Sequence, residues 1–182
     1  MANSKREEIR KEFKEVIKTA ILSLVPTERI FLNRAVKIDE RTELPCVIIY
    51  TKSDAPEIYT TAPRRYNRKM QLTCEVIARG FESADDVVDE ITEKIETAVF
   101  RNETLNDKVS DTMLGQTDMD MIEDGSKTVV AARIQFDIEY FVDAPDEQLA
   151  LDDFQTARTE YEVQPPSAAE KPVDIITLPI LP

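Results

Sequence analysis

Apolar residues recur at helical spacing near the start of the chain, where Ile9, Phe13, Val16, Ile17, Ala20, Ile21 and Leu24 form one stripe. Ser4 and Glu7 stand ahead of it in the S-x-x-E arrangement, in which hydroxyl and carboxylate satisfy orphan amides at a helix start. Pro26 disfavours helical backbone at Val25, so the spacing predicts an amphipathic helix over residues 4–24. Its outer face carries Glu7 with Lys11, and Lys11 with Glu15, four residues apart. Such a stripe is suited to covering a core rather than lying on a membrane.

The pattern then changes period. Residues 29–33 (RIFLN) suit a short strand, and the polar run 35–44 suits a loop. Cys46 to Tyr50 has no charged or amide member, as expected of a strand buried centrally in a sheet. Residues 53–67, with two prolines and several β-formers, read as a long loop that can form the tip of an extended hairpin. Met70, Leu72, Cys74, Val76 and Ala78 alternate with Lys69, Gln71, Thr73 and Glu75, a strand with one wet face. After Gly80, Ser83 and Asp86 repeat the capping arrangement ahead of Val87, Val88, Ile91, Ile95, Ala98 and Val99, which predicts a helix over 83–99. A strand around 113–122, a turn centred on Asp124-Gly125 and a strict period-two strand from Val130 to Val142 complete the run as a hairpin.

This order predicts an α+β fold of two layers: a mixed, mostly antiparallel sheet with both amphipathic helices on one face. Phe13, Ile17, Val88, Ile91 and Ile95 are expected to pack on Val47, Ile49, Leu72, Val76, Ile134 and Phe136. The domain spans residues 1–142, and residues 143–182 form an extended C-terminal arm. The arm holds six of the ten prolines and nine acids against two bases, and only FQTARTEYEV within it suits brief order. It closes on DIITLPILP, whose Ile175, Ile176, Leu178 and Ile180 read as a partner-docking peptide bound in extended form.

Composition narrows the chemistry. With 182 residues and 42% hydrophobic content, one domain with an appendage fits better than two. Histidine is absent, which removes the side chain on which most triads, zinc sites and proton shuttles depend. Only three glycines occur, and no phosphate-cradling or nucleophile-elbow motif does. The reading is therefore of a protein that is not an enzyme and needs no cofactor or metal. Cys46 and Cys74 fall at apolar strand positions, which suits buried thiols in a reducing compartment; a bridge between neighbouring strands also fits. The charged start MANSKREEIRKEF and the lack of a long apolar run point to cytoplasmic synthesis without a membrane partner.

The net charge is −13, which disfavours a grip on phosphate backbones. Against that background stands Arg64-Arg65-Tyr66-Asn67-Arg68-Lys69, whose Arg64, Arg65, Tyr66, Arg68 and Lys69 suit a contact with an acidic surface of a neighbouring subunit. A solvated loop and a nucleic-acid stack fit the same residues. Asp118 and Asp120, two apart on a strand, share a face and invite a cation; a solvated strand face with the alternating methionines turned inward explains them too.

Residues 29–142 resemble the tail terminator proteins of tailed bacteriophages, the minor tail protein U-like group. The resemblance lies in the preceding amphipathic helix, Leu44-Pro45-Cys46-Val47-Ile48-Ile49-Tyr50, the polar stretch after it, Leu72-Thr73-Cys74-Glu75-Val76, the helix opening Ser83-x-Asp85-Asp86, and a last strand ending Glu139-Tyr140. These are packing motifs, and other tail-completion, head-closure and neck proteins share much of the plan. The resemblance implies a homohexameric ring at the neck end of the virion tail, assembled in the host cytoplasm. Such a ring caps the tail tube, ends its polymerisation and joins it to the head connector, with a sheath protein as a further partner and DNA passing through the lumen without specific binding. The acidic extension after Asp143 departs from the smallest members of that group.

Overall fold

The computed structural model describes residues 4–80, 83–124, 127–144, 156–160 and 173–177. Helix α1 runs Lys5–Ile21, and Ser4 caps it by accepting from the Glu7 amide at 3.3 Å. Glu7 turns outward to Lys11 at 2.7 Å instead of reaching back. Helix α2 runs Ala84–Phe100, and here the Ser83 side chain makes no capping bond; Asp85 and Asp86 in its first turn favour the helix dipole instead.

Five strands form one sheet: β1 Ile30–Leu32, β2 Cys46–Thr61, β3 Arg64–Gly80, β4 Asp111–Asp124 and β5 Lys127–Asp143. Their order is β1-β2-β3-β5-β4, and only the β1–β2 pairing is parallel. The fold is therefore α+β with a mixed, mostly antiparallel sheet, as the pattern predicts. Registers Val47↔Val76, Ile49↔Cys74, Leu72↔Phe136 and Cys74↔Ile134 put the expected core residues on one face. Ile9, Phe13 and Ile17 of α1 and Val88, Ile91 and Ile95 of α2 are fully buried in the same apolar cluster. Phe13 meets Phe136 edge to face at 5.1 Å.

Among the described residues no helix lies on the opposite face. Ile48, Tyr50 and Ile77 are half-buried there, and Glu75 pairs with Arg133 at 2.9 Å. The loop before β2 is polar, as expected, and pinned at both ends. Arg34 forks onto Glu43 at 2.9 and 2.8 Å and lies 4.2 Å over Phe31, and Arg29 donates to the Leu44 carbonyl at 2.8 Å.

Residues 53–67 correct the loop expectation. They are strand almost throughout, with pairs from Ser53↔Gln71 to Thr61↔Arg64. The hairpin reading of these residues holds in an extreme form, with Ala62 and Pro63 alone between the strands. Thr, Tyr and Ile supply β-propensity, and backbone pairing on β3, itself paired to β5 as far as Arg65↔Asp143, supplies the ladder. Polarity signals exposure here, not irregular backbone.

Length is the cause of that exposure. Seventeen residues make both β3 and α2, yet a strand of that length spans about 56 Å and a helix about 26 Å. The sheet must overhang the helices. Accordingly β3 is buried only from Met70 inward, and β2 is exposed throughout from Ala55 to Thr61.

Strand β4 is bent by a one-residue bulge between Leu114 and Thr117, opposite Phe136 and Ile134. Gly115 sits in it, where a Cβ would stand 3.2 Å from the Gln135 carbonyl. The bulge reverses the alternation. Leu114 faces the helices, but beyond the bulge Met119 and Met121 do so, opposite Ala132 and Val130, while Asp118 and Asp120 turn to the open face. The methionines point to the helix side as expected, yet they are 49% and 58% exposed, because β4 is the last strand of the five-stranded sheet and neither described helix covers this part of it. Asp124 is the last paired residue, opposite Lys127, so it belongs to the strand and not to the turn centre.

The chain divides into two compact units, residues 1–144 and 145–182. In the second, β6 Thr156–Glu160 pairs antiparallel with β7 Val173–Thr177, Ile175 opposite Arg158 and Ile176 opposite Ala157. The pairing of these two segments with each other is not legible in the composition of the arm. Leu178 and Ile180 lie outside the described residues.

Candidate functional site

Where β2 and β3 leave the core, a buried carboxylate ties four elements together. Asp54 is 3% exposed at its side chain and accepts from Arg68 Nε at 3.1 Å and from the Tyr140 hydroxyl at 2.9 Å. The second Arg68 contact is at 3.0 Å, and Arg6 of α1 approaches to 3.6 Å. A carboxylate at this depth needs such company, since an unpaired buried charge is strongly unfavourable. Burial, and then the Asp54 carboxylate, push the Tyr140 hydroxyl up to about 12. The knot seals the helix-side core against the polar hollow of about 540 Å³ lined by Ser4, Arg6, Arg10, Asn33, Thr51 and Lys52.

This knot redistributes the basic cluster. Arg68 is engaged inward with Asp54, so it is not available at the surface as the sequence suggests. Lys69 lies between Glu57 at 3.4 Å and Glu139 at 4.0 Å. Arg65 is 3.3 Å from the exposed Asp143 and lies 4.6 Å over Phe141, whose ring Tyr59 also meets edge to face at 4.9 Å. Tyr66 is half-buried opposite Ile58. Among the described residues Arg64 and Lys52 have no ion-pair partner. The hairpin tip thus presents Ile58, Tyr59, Arg64 and Arg65, of which sequence reading singled out only the arginines. Ile58 and Tyr59, each 62% exposed, were hidden by being placed in a loop, where exposed apolar residues carry no strand-face meaning.

On the far edge, Asp118 accepts from Gln116 and from Gln135 at 3.3 Å. Among the described residues no group of three Asp, Glu or Cys is placed to hold a metal ion. Cys46 and Cys74 are free and buried; burial raises the Cys46 thiol to about 12 and raises Cys74 as well, which makes both poor nucleophiles. A second recess of about 360 Å³ lies on the open face, floored by Ile48, Ile77, Val129 and Ala131 and bordered by Glu75 and Arg133. No described helix is long and apolar enough to cross a membrane.

No protein-family model matches the chain. No curated protein matches it either. Among solved structures, a chain of the "Virion of native gene transfer agent (GTA) particle" is similar at 6% identity and a TM-score of 0.35, over 69% of this chain and 93% of that one.

Proposed function

We propose that this chain is a structural virion protein of a tailed bacteriophage: a tail terminator that forms a homohexameric ring, caps the tail tube, stops its growth and presents a surface to the head connector. The observation that supports this most is the match between the folded body and the plan implied by the resemblance of residues 29–142. The amphipathic helix, the central strand at Cys46–Tyr50, the second strand at Leu72–Val76, the Ser83 helix and the last strand through Tyr140 assemble into one sheet with both helices on one side. Among the described residues, Asp54, Arg68 and Tyr140 are engaged with one another at the border of the core, and Cys46 and Cys74 are buried as free thiols.

In this reading the exposed hairpin tip contacts a neighbouring subunit or the tube, and the second unit, with Ile175, Ile176, Leu178 and Ile180, docks on a neck or sheath protein. An acidic body also suits a lumen through which DNA slides, because like charge weakens adhesion to phosphate. A nucleic-acid grip by the basic cluster has less support, since Arg65, Arg68 and Lys69 each face a carboxylate of the same chain. A related neck or head-closure role remains the alternative within the same class.

Two measurements test the reading. Native mass of the purified chain should report six copies, and a phage carrying Arg64→Glu with Arg65→Glu should produce overlong tails from a folded protein. Arg68 is left intact because its loss would disturb the Asp54 knot. Tails of normal length with that variant would take the hairpin tip out of the capping mechanism, and a monomeric chain at all concentrations would remove the ring.

A further inference from the structure

The two bare regions of the sheet lie on opposite edges of it, and each is exposed on both faces. Their chemistry is matched face by face. On the side that carries the helices, the hairpin tip shows Ile58, opposite Tyr66, while β4 shows Met119 and Met121. On the open side, the tip shows Tyr59 and Arg65, each against the Phe141 ring, and β4 shows Asp118 and Asp120, neither of which has an ion-pair partner among the described residues.

We propose that the β2–β3 hairpin tip of one copy docks beside β4 of the next, sheet edge to sheet edge with the helices of both copies on the same side. Ile58 then meets the flexible, polarisable Met119 and Met121, and Arg65 with Tyr59 meets Asp118 and Asp120. The occupant is a second copy of this chain, and the charge pattern says in which manner. Arg65 shares its charge with the exposed Asp143 and Lys69 with Glu57, whereas Arg64 of the tip and Asp118 and Asp120 of β4 have no ion-pair partner among the described residues. Tip against tip would bring the two unpaired Arg64 side chains together and β4 against β4 the unpaired carboxylates, while tip against β4 sets unpaired cation against unpaired anion. Such a contact uses two different patches, so each copy keeps one of each free for further neighbours, and the assembly closes as a ring or continues as a filament. The contact is made by side chains. Pro56 and the register shifts at Thr51/Ser53 and Ile58/Thr60 make the outer edge of β2 a poor template for a continuous backbone ladder.

The inference rests on the ring reading only for the number of copies. Its test uses the full chain with Ile58→Cys and Met119→Cys together, under mild oxidation. The native thiols, being buried, stay out of the reaction. The expected result is a disulfide-linked ladder of two, three and more copies that neither single substitution gives. In parallel, Asp118→Lys with Asp120→Lys should weaken self-association by about tenfold or more, and adding Arg64→Glu with Arg65→Glu should recover most of it. Linked dimers and nothing larger would mean a self-complementary contact and overturn the proposal. Six copies by native mass with no ladder and no effect of charge reversal would overturn this surface assignment and leave the ring standing. A chain that remains single under all conditions would overturn both.

Discussion

Strands β2 and β3 pass through two environments, and the contrast between them separates what makes a strand from what makes a core. At the root, Val47, Ile49, Leu72, Cys74 and Val76 are fully buried beneath both helices. At the tip, every residue from Ala55 to Thr61 is exposed, yet the ladder continues to Thr61↔Arg64. The tip is held by cross-strand contacts such as Tyr59 on Phe141, Arg65 on Phe141, Lys69 to Glu57 and the Thr60 hydroxyl on the Pro63 carbonyl at 2.7 Å. Such pairs contribute fractions of a kcal/mol each, whereas a buried aliphatic side chain contributes several times more. The root holds the body together; the tip holds only itself.

The largest effect should come from the root. Ile91→Ala removes a fully buried side chain of α2 over the sheet, and denaturant unfolding should show a loss of about 2–5 kcal/mol. A loss within error would mean that α2 is not part of the cooperative core.

The border between the two environments should give an intermediate value. Asp54→Ala leaves Arg68 and the Tyr140 hydroxyl without their acceptor, at a cost of about 2–3 kcal/mol, below that of a fully buried pair because Arg68 keeps part of its surface in water. Hydrogen exchange sharpens the point: amides outward from Asp54 should speed up in this variant more than those of Leu72 to Val76. Uniform acceleration would show that the knot serves the whole sheet and not the border.

The smallest effect belongs to the tip. Tyr59→Ala should change stability by about 0.5–1 kcal/mol or less, because it removes one exposed edge contact with Phe141. If it costs as much as Ile91→Ala, the tip is coupled to the core and the contrast fails.

The same contrast explains what was legible in the sequence. Where a residue's burial follows strand or helix periodicity, as from Leu72 to Val76 and from Val88 to Val99, element and face could both be read. At residues 53–67 the strand has no buried face, so period two has nothing to mark and prolines and polar residues imitate a loop. The bulge in β4 was invisible for a related reason: Met119 and Met121 alternate with Asp118 and Asp120 in either phase, and only the pairing with β5 sets which set faces the helices. The inward engagement of Arg68 was hidden because Asp54 lay in the supposed loop.

That bulge also bears on how this surface can change over generations. Replacing Asp118 or Asp120 alters the charge on one side of β4, but no replacement moves that charge to the other. Loss of a single codon at Gln116 would do so, returning the strand to the alternation it has before Leu114 and exchanging the faces of every residue beyond. In this strand, insertions and deletions act as inversions of the surface, and a lineage that keeps the length between Leu114 and Thr117 preserves its polarity whatever else it substitutes.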